Sequence, residues 1–518
     1  MFLLDQFPIE LLHSIFDYLL TNEILFAFAD ISDYVDSVLL GYKRYHVNLQ
    51  SIRKCDFDLI CRKIRAHQII QLTLCDDRDT TNQSQLFIQM FRIEQFIHLR
   101  QISLIRIDKE SWTVLLEQLS ELSDQIPILY FDTTPHINIQ IPNLLLPHIN
   151  RLVTCDSEDF FNKISTYSTL RHLTISNCSP KQFLKIVHQV TELHNPRELP
   201  QIEKILLKTP QLKYLEIDAR YLRIPMNGDQ WETLIESFLP RLNTFNFRFK
   251  LDEDHSLTSF RSPFWLEYKC WFVAYDIRQS TIYSVPRFAI HRIEYPMSDF
   301  IPDDSTIPRT TLFYDQIKHL TLFWQGSLFD LRPPPVPFAH VETFELGKRI
   351  DTSKVSISIL ESIVNFASIQ RLKVSLAEFK WLLPHMPQVH HLTLYGLESF
   401  STDIQTTTVF HQIRSLDLSS TFVNLGVKRL NFLFPSVEKL HMEVQYERDI
   451  IGMIDGFQKL SHVKIELAPM IDRQYKNIIS KQWLERNTRL SKYKFTCRIE
   501  ARYTFLWIGE KHEQNVSE

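Results

Sequence analysis

The chain has 518 residues, 44% hydrophobic and 23% charged, with a formal net charge of −4. That mix belongs to a folded chain with a buried core, and its near-neutral balance argues against a nucleic-acid or membrane surface as the main partner. Only 9 glycines are present, which weakens any reading that needs a glycine-rich phosphate loop.

The N-terminus MFLLDQFPIELLHSIFDYLL is apolar, but Asp5, Pro8, Glu10, His13 and Asp17 interrupt it and no basic segment precedes it, so it does not read as a signal peptide. Pro8 suits the first position of a helix. Leu12, Ile15, Phe16 and Leu19 follow at helical spacing on one stripe. Thr21 is read as the cap of a second helix carrying Ile24, Phe28 and Ile31. Ser32 is read as the cap of a third, carrying Val35, Val38, Leu39 and Tyr42, with Gly41 helping to end it. Three helices this short bury little surface alone, so a module of residues 1–45 is expected to lean on a partner or on the next domain.

From Ile69 onward one pattern recurs: apolar-x-x-Leu-x-apolar. Early copies are Ile69-Ile-Gln-Leu72-Thr-Leu74, Leu99-Arg-Gln-Ile102-Ser-Leu104 and Leu170-Arg-His-Leu173-Thr-Ile175. Leu212-Lys-Tyr-Leu215-Glu-Ile217 and Leu242-Asn-Thr-Phe245-Asn-Phe247 follow. The late central positions Leu320, Phe344, Leu372, Leu392, Leu416, Leu440, Val463 and Tyr493 are separated by 24, 28, 20, 24, 24, 23 and 30 residues. This is the period of a leucine-rich repeat, one short strand plus a helix or turn per unit. Leu173-Thr-Ile175-Ser-Asn177-Cys178 carries its Asn/Cys turn element, and helix-like stretches at 84–96 and 353–366 fit between strands. The pattern is only partly met between Ile102 and Leu173. It lapses from Phe245 to Leu320, where Phe264–Val273 and Thr281–Val285, rich in aromatic and β-branched residues, read as a β-hairpin insertion, with two eroded repeats as the alternative. Arg332-Pro-Pro-Pro-Val-Pro337 reads as a stiff exposed loop.

The first 45 residues resemble the F-box family. Phe7-Pro8-Ile9-Glu10-Leu11-Leu12, Ile15-Phe16, Tyr18-Leu19 and Ile24-Leu25 follow its motif, with Phe7 in place of the usual leucine. Ile31-Ser32-Asp33-Tyr34 stands where the family has Cys-Arg-x-Trp. The resemblance implies docking to a Skp-type adaptor and, through it, to a cullin. It places the adaptor contacts on Phe7, Pro8, Ile9, Leu11, Leu12, Ile15, Phe16, Leu19, Ile24 and Leu25, with Tyr34 replacing the tryptophan. The chain also resembles a group of divergent F-box proteins with irregular repeats and a similar PFWLE…WFV insertion.

The expected fold is therefore α/β: a three-helix F-box at 1–45, a leucine-rich-repeat solenoid at 46–510 with parallel strands in a horseshoe and outer helices, an insertion at about 246–316, and a polar tail at 511–518. If each repeat leucine points inward, its neighbours face out, giving a candidate target-binding face that includes Tyr214, His319, Arg371, His391, Asp417 and His441. No GxSxG, HExxH, GxxxxGK[ST] or GxGxxG occurs, so no catalytic residue and no cofactor is expected. His385, His390 and His391 are the densest histidine group, but adjacent strand residues point to opposite faces and no metal site is expected there. The 7 cysteines are irregularly spaced and are expected to be reduced thiols. No stretch is apolar enough to span a bilayer, so a cytoplasmic or nuclear location is expected, and the three Asn-x-Ser sequons read as chance matches. The reading is a substrate receptor of a cullin ubiquitin ligase with an unidentified target. A non-catalytic repeat protein or inhibitor outside any ligase is the alternative.

Overall fold

The structure, a computed structural model, describes residues 4–122, 127–132, 141–154, 169–176, 210–223, 227–250, 257–277, 279–296, 302, 304–308, 311–322, 333–347, 356–395, 408–418, 427–444, 446–467, 479–500 and 502–511. Asn177 and Cys178 of the turn element and the 512–518 tail lie outside these residues. The chain is mixed α/β and contains predominantly parallel sheets, with no closed barrel among the described residues. It divides into two compact units. The first is Met1–Ile52, Asp56–Phe288 and Pro302–Ile307. The second is Arg53–Cys55, Ala289–Ile301 and Pro308–Glu518.

In the first unit three helices, α1 (Ile9–Phe16), α2 (Thr21–Phe28) and α3 (Asp33–Gly41), precede the strands. A parallel series follows in chain order: β1 (Tyr45–Asn48), β2 (Ile69–Cys75), β3 (Gln101–Ile105), β4 (Ile128–Asp132), β5 (Ile149–Thr154), β6 (His172–Ser176), β7 (Tyr214–Arg223) and β8 (Thr244–Lys250). The helices α4 (Lys54–Lys63), α5 (Gln83–Met90), α6 (Lys109–Glu121) and α7 (Gly228–Phe238) lie between these strands in sequence. The strands β9 (Phe272–Asp276) and β10 (Thr281–Val285) pair antiparallel, and β10 pairs antiparallel with β8. Phe264–Tyr268, expected as part of a hairpin strand, is instead a helical turn. Its Trp265 is buried against Phe245, Phe247 and Phe260, and its indole N–H donates to the Gly228 carbonyl at 3.3 Å. A side chain at 228 would collide with the Ser259 carbonyl, so glycine is required for this close approach.

The second unit begins with β11 (Arg292–Tyr295), after which the short β12 (Asp304–Ser305) pairs with β9 of the first sheet. Thus the 75-residue lapse of the pattern is not one insertion. It holds the antiparallel edge of one sheet and the first strand of the next, and Ile293 pairs directly with Leu320. The strands β13 (His319–Leu322), β14 (Thr343–Leu346), β15 (Arg371–Ser375), β16 (His391–Tyr395), β17 (Ser415–Leu418), β18 (Lys439–Val444) and β19 (His462–Leu467) continue in parallel. The helices α8 (Thr311–Asp315), α9 (Ile357–Ile363), α10 (Leu376–Leu382), α11 (Val427–Leu433), α12 (Glu447–Gly456) and α13 (Lys481–Asn487) lie between strands in sequence. Tyr493, expected to centre another parallel repeat, instead begins β20 (Tyr493–Glu500). It forms an antiparallel hairpin with β21 (Tyr503–Lys511), and β21 pairs antiparallel with β19. Unpaired edge groups of β19 are thereby satisfied.

Register explains the repeat. Leu320, Phe344, Leu372, Leu392, Leu416 and Leu440 lie directly opposite one another across six strands, and all are buried. Leu72, Ile102, Leu129 and Phe131, Leu152, Leu173, Leu215 and Phe245 serve the same purpose in the first unit. Each fully buried side chain of this size contributes about 1.5–3 kcal/mol.

One polar residue ties α3 to the sheet. Gln68 is buried beside β2, and its amide nitrogen reaches the carbonyls of Leu39, Leu40 and Tyr42 at 3.0, 3.0 and 3.1 Å. These carbonyls lie at and just beyond the end of α3, where the helix supplies few partners of its own. Its carbonyl accepts from the Arg65 N–H at 2.8 Å. Gln68→Met keeps the shape and removes these bonds, so a stability loss of about 1–3 kcal/mol is expected in urea unfolding. A midpoint equal to that of the native chain would show that water replaces the amide without cost.

Candidate functional site

The N-terminal module is built around a small aromatic cluster. Phe16 packs edge-on against Phe28 at 5.0 Å and against Tyr42 at 5.4 Å, and Tyr42 packs against Tyr45 at 4.9 Å. The Tyr42 hydroxyl donates to Asp17 at 2.6 Å, and the Tyr45 hydroxyl donates to the Leu39 carbonyl at 3.1 Å. Burial raises both phenols above their ordinary range. The local caps differ in part from expectation. Pro8 sits at the cap position before α1 and not inside it, and Leu20 occupies the cap position of α2. Thr21 spends its hydroxyl on the His46 carbonyl at 2.7 Å, which joins α2 to β1. Ser32 caps α3, accepting from the Val35 N–H at 3.2 Å. Ile31 lies beyond α2, which ends at Phe28 with Ala29 already extended and Asp30 following at a φ of 59°.

This packing divides the residues assigned to adaptor contact. Pro8, Ile9 and Leu11 are exposed, Ile9 and Leu11 at 45% each. Phe7, Ile15 and Leu19 are half-buried. Leu12, Phe16, Ile24 and Leu25 are buried. These four are therefore interior residues of the module rather than surface contacts, because a three-helix unit this small needs them for its own core. Tyr34 is half-buried and donates its hydroxyl to the Phe7 carbonyl at 2.7 Å, so it pins the entry to α1. Sequence reading missed Tyr18, Leu20, Ile31 and Leu40, large apolar side chains that are exposed on the same module. For Tyr18, Leu20 and Leu40 the available signal was their position off the stripes that formed its core.

The sheet faces carry the second group of candidates. Tyr214, His319, His391, Asp417 and His441 are half-buried and Arg371 is exposed. Within the second unit, Arg371, His391, Ser415 and Lys439 align across β15–β18, with Lys373, Thr393, Asp417 and His441 in the next outward row. These rows are largely paired internally. Lys373 meets Glu345 at 2.7 Å. The His441 ring lies 2.9 Å from Asp417 and 3.5 Å from Glu466, and Glu466 also meets Arg502 at 2.9 Å. In the first unit Tyr214 donates to Glu216, which also takes two bonds from Arg287 at 2.6 and 2.8 Å. Arg248 forks onto Asp218 at 3.0 and 2.6 Å.

A cavity of about 320 Å³ opens at the C-terminal ends of β3–β5, where Arg106, Arg151, Asp77, Asp132 and Tyr130 meet. Burial raises the Asp132 carboxyl, and the two arginines oppose that rise. Its signs are mixed, so it selects no simple ion. His385, His390 and His391 do not converge, and no group of three or more His, Cys, Asp or Glu residues is placed to hold a metal among the described residues.

Burial pushes His391 down from 6.5 to about 4, with Arg371 adding to the effect and Asp417 opposing it. The unfolded chain therefore binds the extra proton first as pH falls. The stability due to neutral His391 is complete above about pH 6.5 and is lost as pH falls through the window toward 4. His391→Gln should flatten the fall in melting temperature across that window. An unchanged pH profile would exclude His391 as a cause of acid sensitivity. No protein-family model and no curated protein matches the chain.

Proposed function

We propose that the chain is a substrate-recognition subunit of a Skp–cullin–F-box-type ubiquitin ligase, built as an F-box followed by a leucine-rich-repeat array. The observation that carries this reading is the apolar surface of α1–α3. Pro8, Ile9 and Leu11 of the F-box-like motif face outward, together with Tyr18, Leu20, Ile31 and Leu40. Large apolar side chains concentrated on so small a module need a partner. The buried Leu12, Phe16, Ile24 and Leu25 then act through position, by holding that surface rigid.

The outward rows of each sheet are polar with aromatic and charged side chains, which suits a protein target. The mechanism in this reading is proximity: the target is held while a ubiquitin-charged enzyme elsewhere in the assembly reaches its lysine. The chain supplies no reacting group. A second reading, that the helices only cap the repeat array of a binding protein or inhibitor, draws support from the Thr21 and Gln68 bonds that fasten the module to the first strands.

The two readings differ in what exposed residues do. Removing residues 1–46 would cut into β1, so point variants give the cleaner test. Ile9→Asp with Leu11→Asp should leave the melting temperature within about 1–2 °C, since exposed substitutions cost little. The same variant should abolish co-purification with a Skp-type adaptor. Retained co-purification, or none by the native chain, would remove the ligase reading and favour the capping one.

A further inference from the structure

At the N-terminal ends of β2–β4 a groove of about 590 Å³ is lined by both cationic and apolar side chains. Its basic side chains are Lys43, Arg44, His98 and Arg100. Arg44 is paired with Asp17 at 3.0 Å. Lys43 and Arg100 form no ion pair with a described residue, and no described carboxylate lines the groove. The chain as a whole carries a net charge of −4, so this concentration of positive charge is local and not a consequence of composition. Of its apolar lining, Ile97 is 60% exposed and Ile128 is 46% exposed.

The platform is rigid. The Arg100 N–H donates to the Ile70 carbonyl at 2.8 Å, and the Ile128 N–H donates to the Arg100 carbonyl at 2.8 Å, so three strand entries are locked side by side. A ligand there would not have to order the backbone it meets. The groove volume lies within the range of sites that enclose a few side chains.

We infer that this groove is a docking site for an acidic peptide segment that carries a bulky aliphatic side chain. Carboxylates on the segment meet Lys43 and Arg100, and the aliphatic side chain covers Ile97 and Ile128. Charge selects the segment and sets its approach, while the apolar contact fixes its register. This inference does not rest on adaptor docking, since neither Ile9 nor Leu11 takes part.

The test is fluorescence anisotropy of the full chain with a labelled glutamate-rich peptide containing one central leucine. Saturable binding that weakens with added salt is expected. Lys43→Glu with Arg100→Glu should weaken it by at least about tenfold. Ile97→Ser with Ile128→Ser should also weaken it, as should serine in place of the peptide leucine. All four protein side chains are exposed, and an unchanged melting temperature for each variant confirms that folding is intact. Absence of binding by the native chain would overturn the inference. So would equal binding of the serine peptide, or equal competition by a single-stranded RNA of the same charge, because either would mark a general polyanion surface. Adaptor co-purification of the Lys43/Arg100 variant separates the two sites: it should persist if α1–α3 alone hold the adaptor.

Discussion

A parallel strand can bury its backbone polar groups only against neighbours in register, and it can bury its apolar side chains only on one face at a time. The aligned column Leu320, Phe344, Leu372, Leu392, Leu416 and Leu440 satisfies both demands together. A slip of one residue would turn this whole column to water and bring Lys373, Asp417 and His441 inside. Every outward position in the second unit, and so every candidate contact on that face, depends on this register. The same constraint governs the first unit through Leu72, Ile102, Leu152, Leu173, Leu215 and Phe245.

Ends are where such a stack is vulnerable, and the chain closes them by different means. The first sheet receives the antiparallel pair β9–β10, backed by buried Trp265 and Phe247. The second receives β20–β21, with Trp507, Leu506 and Phe505 buried. At the N-terminal end the role falls to α1–α3, fastened by Gln68 and Thr21. A module that caps a sheet and also offers an apolar outer surface can serve both purposes. Leu12 and Phe16 supply the interior, while Ile9 and Leu11 remain outside.

Electrostatics on the sheet faces are mostly self-contained. Asp218 with Arg248 and Glu345 with Lys373 offset their charges across neighbouring strands, and Glu216 is paired by Arg287 from the turn after β10. Partly buried pairs of this kind hold strands and orientation more than they attract ligands. The groove beside Lys43 and Arg100 differs because exposed cations and exposed apolar side chains line it together. It is the more selective surface on these grounds, since charge and apolar area there point to one class of ligand.

The sequence alone determined the positions of most strands. A large apolar residue, mostly leucine, every 20 to 28 residues between Leu320 and Val463, flanked by alternating polar residues, permits little else. It also determined three N-terminal helices, because their apolar stripes are local signals. It did not reveal β1 or β11, centred near Val47 and Ile293. Nor did it separate contact residues from core residues within α1–α3, since Leu11 and Leu12 are the same residue type and differ only in what packs on them. Tertiary structure decided that difference, as it decided that Tyr493 turns back in a hairpin and that Gln68 bonds to carbonyls 26 to 29 residues away. Local periodicity fixes which face of an element is apolar. Only the folded chain fixes which apolar face finds a partner within it and which is left outside.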